Sequence, residues 1–201
     1  QEQLRIIRKG CQIFYGITEA TLSRDLSWLF SQLGRLIERA DKTSRILDVK
    51  YFLLLPTPEE VGGVLDELQW ISLLRSAGAY QMYRQSMQQA IAPASVARFL
   101  LLDPIFPRSV RFCLKQINDT LQQIQQIPQP PVSPNEIEAM GGQILANWND
   151  VQIDALIERG LHEAIDQLQN DLNQLHTLIH NRYFTTTDLG SIPTDPSCAL
   201  S

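Results

Sequence analysis

Apolar residues recur at every third or fourth position along nearly the whole chain, and no alternating β-branched run interrupts them. A backbone patterned in this way buries its apolar side chains as helices, each hiding one stripe against its neighbours. Prolines and caps then decide where each helix stops. The first stretch, residues 1–15, places Leu4, Ile7, Cys11 and Phe14 on one face, and residues 16–24 read as a polar turn rich in Thr and Ser. A long helix is expected from about Ser23 to Leu55, where Pro56 ends it.

Thr57-Pro58-Glu59-Glu60 marks the next start, with a cap residue, a proline in the first turn and a glutamate behind it. That helix runs through Leu65, Leu68, Ile71 and Leu74 to a break at Gly78, and a short segment follows to about Gln89. Pro93 opens a helix that ends at Asp103-Pro104. Pro107-Arg108-Ser109 opens another, carrying Val110, Cys113, Leu114, Ile117, Leu121 and Ile124. Residues 128–134 form a proline-rich linker, stiff and extended, and the one point at which the domain could be subdivided. Ser133-Pro134-Asn135-Glu136 is a second capping box, and helices carry the chain on to Phe184. Residues 185–201 are polar and expected to be a disordered tail. Short connections between long amphipathic helices predict one all-α domain over residues 1–184, an antiparallel multi-helix bundle.

Composition narrows the function classes. Of 201 residues, 44% are hydrophobic and 19% charged, enough to bury a real core, and the net charge of −5 argues against a nucleic-acid partner. Cys11, Cys113 and Cys198 are few, odd in number and far apart, so neither a disulfide framework nor a cysteine zinc site is expected, and the cytoplasm is the simplest compartment. The longest apolar runs, such as Phe99-Leu100-Leu101-Leu102, are too short to span a bilayer, so no membrane partner is expected. The sequence opens on Gln1 without a methionine, which predicts a fragment or a processed form.

At about 100° per residue, the long helix separates into two faces. Leu26, Leu29, Phe30, Leu33, Leu36, Ile37, Ala40, Leu47 and Tyr51 form the core side. Trp28, Gln32, Arg35, Glu38, Arg39, Lys42, Arg45 and Ile46 lie opposite. Such a charged face is ordinarily a solvated one, laced by the helix pairs Arg35–Glu38, Glu38–Lys42 and Asp41–Arg45. Trp28 and Ile46, however, bound the stripe at both ends and predict partial cover by another helix. Gly34 sits in mid-helix, where it costs about 1 kcal/mol against alanine, and predicts close backbone approach by a neighbour. Under such cover Glu38 becomes the acceptor among Arg35, Arg39, Lys42 and Arg45, and the excess positive charge invites a second anion, a carboxylate or phosphate. A structural ion-pair network and an anion-binding or catalytic role both remain open from the spacing.

At these residues the sequence resembles the alpha-E domain family, helical bacterial proteins named for a Glu-Arg motif. The resemblance runs from Gly16-Ile17-Thr18 through Ser23-Arg24-Asp25-Leu26-Ser27-Trp28 to Gly34-Arg35-Leu36-Ile37-Glu38-Arg39-Ala40. It continues in Trp70, in residues 80–84, in Phe99-Leu100-Leu101-Leu102-Asp103, in Pro107-Arg108-Ser109-Val110, in Leu175-His176 and in Tyr183-Phe184. Family members resemble two related helical halves, the first opening with its own Gly-Arg-x-x-Glu-Arg-Ala helix. This chain carries the later copy, and the resemblance therefore implies a C-terminal two-thirds or a variant lacking the first. It also implies a setting beside circularly permuted ATP-grasp ligases and transglutaminase-like proteins, and hence work on peptides through amide bonds.

Other constellations are weaker. His176 and His180 stand at i, i+4, with His162 and Glu158 further back, but no third ligand can be assigned and no metal is expected. Leu156-Ile157-Glu158-Arg159 repeats part of the motif without the Gly-Arg, as chance would allow. Arg108 and Arg111 open a helix and could line an anion site or be lone surface arginines. Gly62-Gly63 and Gly141-Gly142 lack the strand and lysine of a nucleotide loop, and no cofactor is expected.

Three functions follow. The first is a helical component of a peptide-ligation or peptide-modifying system, binding a peptide, an anionic ligand or the ATP-grasp or transglutaminase-like partner. Its ligand-binding residues would be Trp28, Arg35, Arg39, Lys42, Arg45 and Arg108. The second is an enzyme with Glu38 as general acid or base and Arg35 and Arg39 holding an anionic substrate. The third is a purely structural bundle that forms a homo-oligomer.

Overall fold

The computed structural model describes residues 2–50, 63–87, 91–127 and 136–185. Among them are nine helices and no strand: α1 (Glu2–Thr21), α2 (Leu26–Asp48), α3 (Val64–Ser76), α4 (Tyr80–Ser86), α5 (Pro93–Leu102), α6 (Val110–Gln126), α7 (Glu136–Asn149), α8 (Ile153–Arg159) and α9 (Leu161–Tyr183). The all-α architecture is the expected one. Four long helices close a ring, α2 packing on α6, α6 on α7, α7 on α9 and α9 back on α2.

Side-chain contacts fix the directions. Phe30 near the start of α2 lies 4.8 Å, ring to ring, from Tyr183 at the end of α9. At the other end, Asp48 Oδ1 is 2.8 Å from His162 Nδ1 at the start of α9. Arg111 at the start of α6 donates to Asn149 at the end of α7. Both pairs are therefore antiparallel. The interior is built from Leu33, Leu36, Ala40 and Leu47 of α2 and Leu114, Ile117, Leu121 and Ile124 of α6. Ile144 of α7 and Ile165, Leu168, Leu172 and Leu175 of α9 complete it, all buried. The very apolar α5 covers α2 and α6, with Phe99 stacked on Phe106 and edge-on to Tyr83.

Several boundaries differ from those the sequence predicts. Residues 16–21 are not a turn: α1 runs through Gly16 to Thr21, because one glycine lowers helix propensity without ending a helix. No residue of α1 is buried, so Leu4, Ile7, Cys11 and Phe14 share a face that meets solvent, not the core. The motif helix begins at Leu26, where Asp25 caps it by accepting from the amides of Ser27 and Trp28. The helix start at residues 57–60, the linker at 128–134, the box at 133–136 apart from Glu136, and the tail beyond Thr185 lie outside the described residues.

Two polar contacts tie the C-terminal end of α2. Just past it, Lys50 Nζ meets Asp66 Oδ1 of α3 at 2.8 Å, with both side chains buried, and also donates to Gln69 Oε1. The half-exposed His162–Asp48 pair closes the α2–α9 seam, and the hydrogen bond to Asp48 raises the His162 pKa above its ordinary value. Among the described residues no helix is long and apolar enough to cross a membrane.

Two outcomes follow from this packing. A Cβ on Gly141 would stand 2.6 Å from Leu121 Cδ1, whereas on Gly142 the nearest atom is 3.8 Å away. Thermal melts should show Gly141→Val destabilised by about 1–3 kcal/mol through overpacking, and Gly142→Ala unchanged or up to about 1 kcal/mol more stable. Because the folded pKa of His162 is raised, the stability it adds is fully present below about pH 6.5 and is lost as pH rises through the folded value. Urea midpoints should thus show wild type exceeding His162→Gln by more at pH 6 than at pH 8.

Candidate functional site

Burial of Leu29, Leu33, Leu36, Ile37, Ala40 and Leu47 turns the opposite stripe of α2 outward, and three different environments divide that stripe. The first is the α1–α2 corner. Glu19 Oε2 of α1 accepts from Gln32 Nε2 at 3.0 Å and stands 3.7 Å from Arg35 Nη2, while its Oε1 accepts from Arg24 Nη2. The Arg35 guanidinium also lies 4.8 Å over the Tyr15 ring, and Arg24 lies 4.3 Å over Trp28. Trp28 and Arg35 are therefore half-buried, held by cation–π and ionic contacts. The helix that covers this end of the stripe is α1.

The second environment is the loop entering α6. Arg39 Nη1 donates to the Pro107 carbonyl at 3.1 Å, and the buried Cys113 thiol points at the same oxygen, 3.6 Å away. Arg108 leaves this loop and lies against the turn after α3, where a Cβ on Gly78 would be 3.8 Å from its Nε. Gly78 holds a positive φ of 64°, which glycine adopts without strain. Burial pushes the Cys113 thiol up to about 11, against the opposing pull of the Arg39 and Arg108 charges. Arg75, in the last turn of α3, stacks on Tyr80 and lines a cavity of about 270 Å³ with Gly78, Tyr80 and Gln81. Among the described residues none of Arg39, Arg75 and Arg108 has a carboxylate within ion-pair distance.

The third environment is open surface. Glu38, with 66% of its side chain exposed, pairs with Lys42 at 3.4 Å and does not gather the four basic groups. Arg45 is claimed by Asp41, which is largely buried and holds it at 2.9 Å, while Arg35 has turned away to α1. Distance from the covering elements leaves Glu38, Lys42 and Arg45 in water. Glu38 lines none of the cavities found among the described residues at α2, α3 and α9.

Gly34 also differs from expectation. No described atom would come within 4 Å of a Cβ there, so the glycine does not serve close helix approach. It forms part of the floor of a cleft of about 290 Å³ between α2 and α9, walled by Phe30, Ile37, Ile179, His180 and Phe184. His176, His180 and Phe184 stack ring on ring along α9. The two histidines gather no further ligand: no group of three or more metal-ligating side chains occurs among the described residues.

A family model for a predicted alpha-helical domain with a conserved ER motif, Alpha-E, matches residues 1–184. The chain belongs to the Alpha-E family. No curated protein and no solved structure matches it. Glu-Arg occurs twice in this Alpha-E chain, at Glu38-Arg39 and Glu158-Arg159. The first pair lies in mid-α2, where Arg39 reaches the Pro107 loop; the second lies exposed at the end of α8, just before the positive-φ Gly160.

Sequence reasoning named Arg35, Arg39, Trp28 and Arg108 but not the residues that organise them. Glu19 and Arg24 were hidden because residues 16–24 read as a turn, and Tyr15 and Arg75 carry no local signal. If Gly34 is empty-sided, Gly34→Ala should raise stability by about 1 kcal/mol in a chemical melt, the ordinary helix-propensity gain. A loss of stability would mean the cleft floor is tighter than described.

Proposed function

We propose that this Alpha-E chain is the recognition component of a cytoplasmic peptide-ligation or peptide-modifying system, gripping a carboxylate of a peptide or of its partner with Arg39 and Arg108. The observation that carries this reading is the hydrogen bond of Arg39 to the Pro107 carbonyl, one residue before Arg108, with no carboxylate within ion-pair distance of either guanidinium among the described residues. Arg45, by contrast, is neutralised by Asp41. Arg39 is held at one nitrogen by the Pro107 carbonyl, which fixes its plane and leaves its other N–H groups to a ligand. Planar guanidinium groups pair bidentately with carboxylates, and partial preorganisation lowers the entropy lost on binding. Arg75 and its cavity extend the same region and could receive the adjoining part of the ligand. The resemblance to proteins encoded beside ATP-grasp ligases and transglutaminase-like proteins supports the choice of a peptide system.

Calorimetric titration tests the reading with short peptides carrying a free C-terminal carboxylate and with their amidated forms, alongside pull-down of an ATP-grasp-type or transglutaminase-like partner. The free acids should bind, the amides at least about tenfold more weakly, and Arg39→Ala with Arg108→Ala should lose about 10- to 100-fold, the loss expected for charge-assisted hydrogen bonds. Equal binding of acids and amides, or wild-type affinity in the double variant, would sink the proposal. Glu38→Gln should bind as wild type does.

A further inference from the structure

Charge is unevenly distributed along the chain. Its net charge is −5, yet residues 68–118 hold six basic side chains and a single acid, Asp103. That acid is already engaged, its Oδ1 accepting from the backbone amides of Ile105 and Phe106. Three of the six bases are engaged as well: Arg98 pairs with Asp154, Lys115 with Asp119, and Arg111 donates to Asn149. Arg75, Arg84 and Arg108 are exposed and have no carboxylate within ion-pair distance among the described residues.

Two of these three meet at one turn. Gly78, between α3 and α4, lines the cavity of about 270 Å³ together with Arg75, Tyr80 and Gln81. Arg108 lies against the same glycine, its Nε 3.8 Å and its Cζ 3.9 Å from where a Cβ would stand. The amides of Ala77, Gly78 and Ala79 are all bound to α3 carbonyls, so side chains supply the free donors here. Arg75 stacks on the Tyr80 ring, which orients its guanidinium and leaves its charge in place. Among the described residues no acid lines the cavity, whereas a guanidinium, a phenol and a primary amide can all donate hydrogen bonds into it.

We propose, resting on the carboxylate grip of Arg39 and Arg108, that the peptide recognised here ends in an acidic residue, whose side-chain carboxylate enters the cavity at Arg75. Arg108 joins the two halves of the site. Its backbone follows the Pro107 carbonyl that holds Arg39, and its side chain reaches the Gly78 turn. A neutral side chain in the cavity would leave the Arg75 charge unmatched, while a carboxylate can accept from two guanidinium N–H groups at once. The excess positive charge of residues 68–118, to which Arg84 on α4 adds, favours the same ligand at longer range.

Calorimetric titration of the full chain tests this with two N-acetylated pentapeptides, identical except for a C-terminal Glu or Gln and both with a free α-carboxylate. At low salt the Glu peptide should bind at least about tenfold more tightly, an advantage that shrinks as sodium chloride is added. Arg75→Gln should erase the advantage and leave the Gln peptide at wild-type affinity, while Arg75→Lys, which keeps the charge, should retain part of it. Both variants should remain folded, because Arg75 is exposed. Equal binding of the two peptides, or a Glu preference that survives Arg75→Gln, would overturn this proposal and leave the carboxylate grip standing. Displacement of the Glu peptide by an equal concentration of inorganic phosphate would overturn it in favour of a phosphate site. If neither peptide binds, the carboxylate grip fails and the acidic preference with it.

Discussion

Burial of one face of α2 is the constraint on which the rest depends. Leu33, Leu36, Ala40 and Leu47 sit between α6 and α9, and Ser44, with no side-chain surface left to water, is accommodated by donating to the Asp41 carbonyl. Once that face is fixed, the helical repeat leaves Arg35, Glu38, Arg39, Lys42 and Arg45 no choice of direction. The capping of the first turn by Asp25 and the Lys50–Asp66 pair beyond the last then hold the register at both ends. The whole charged stripe is thus positioned by apolar packing on its far side, at distances set by a rigid rod of about 34 Å.

What that stripe can do differs along its length, because its neighbours differ. Near α1, Arg35 is held by an aromatic face and a carboxylate, so its charge is spoken for. At the surface, Glu38–Lys42 is an exposed helix pair of small energetic weight. At the Pro107 loop the Arg39 guanidinium finds a carbonyl in place of a carboxylate, one residue before Arg108. A carbonyl orients a guanidinium without neutralising it. The same ionised residue type therefore serves cohesion at one end of the helix and leaves attractive charge at the other.

Much of the architecture was legible in the residues. The proline at 93, the Asp103-Pro104 pair and the Ser109 cap bound α5 and α6 where the sequence places them, since a missing N–H and a capping hydroxyl act within one turn. The α1 boundary was not legible. Thr18, Thr21 and Gly16 look like loop composition, and what keeps them helical includes the contacts of Glu19 with α2, thirteen residues away at Gln32. Gly34 misled for a related reason: propensity registers what a glycine costs, while only the neighbouring α9 reveals that open space lies beside it.

The sequence by itself determined that this chain is helical, where most of its helices turn, and which residues of the Alpha-E motif share a face. These follow from local forces, namely propensity, capping and the 3.6-residue repeat. Only the tertiary structure decided that Glu38 stands apart in water, that Arg39 reaches the Pro107 carbonyl 68 positions away, and that no residue of α1 is buried. Those outcomes depend on which helices pack side by side. The pairing is fixed by the summed fit of many buried side chains and is not encoded in any one segment.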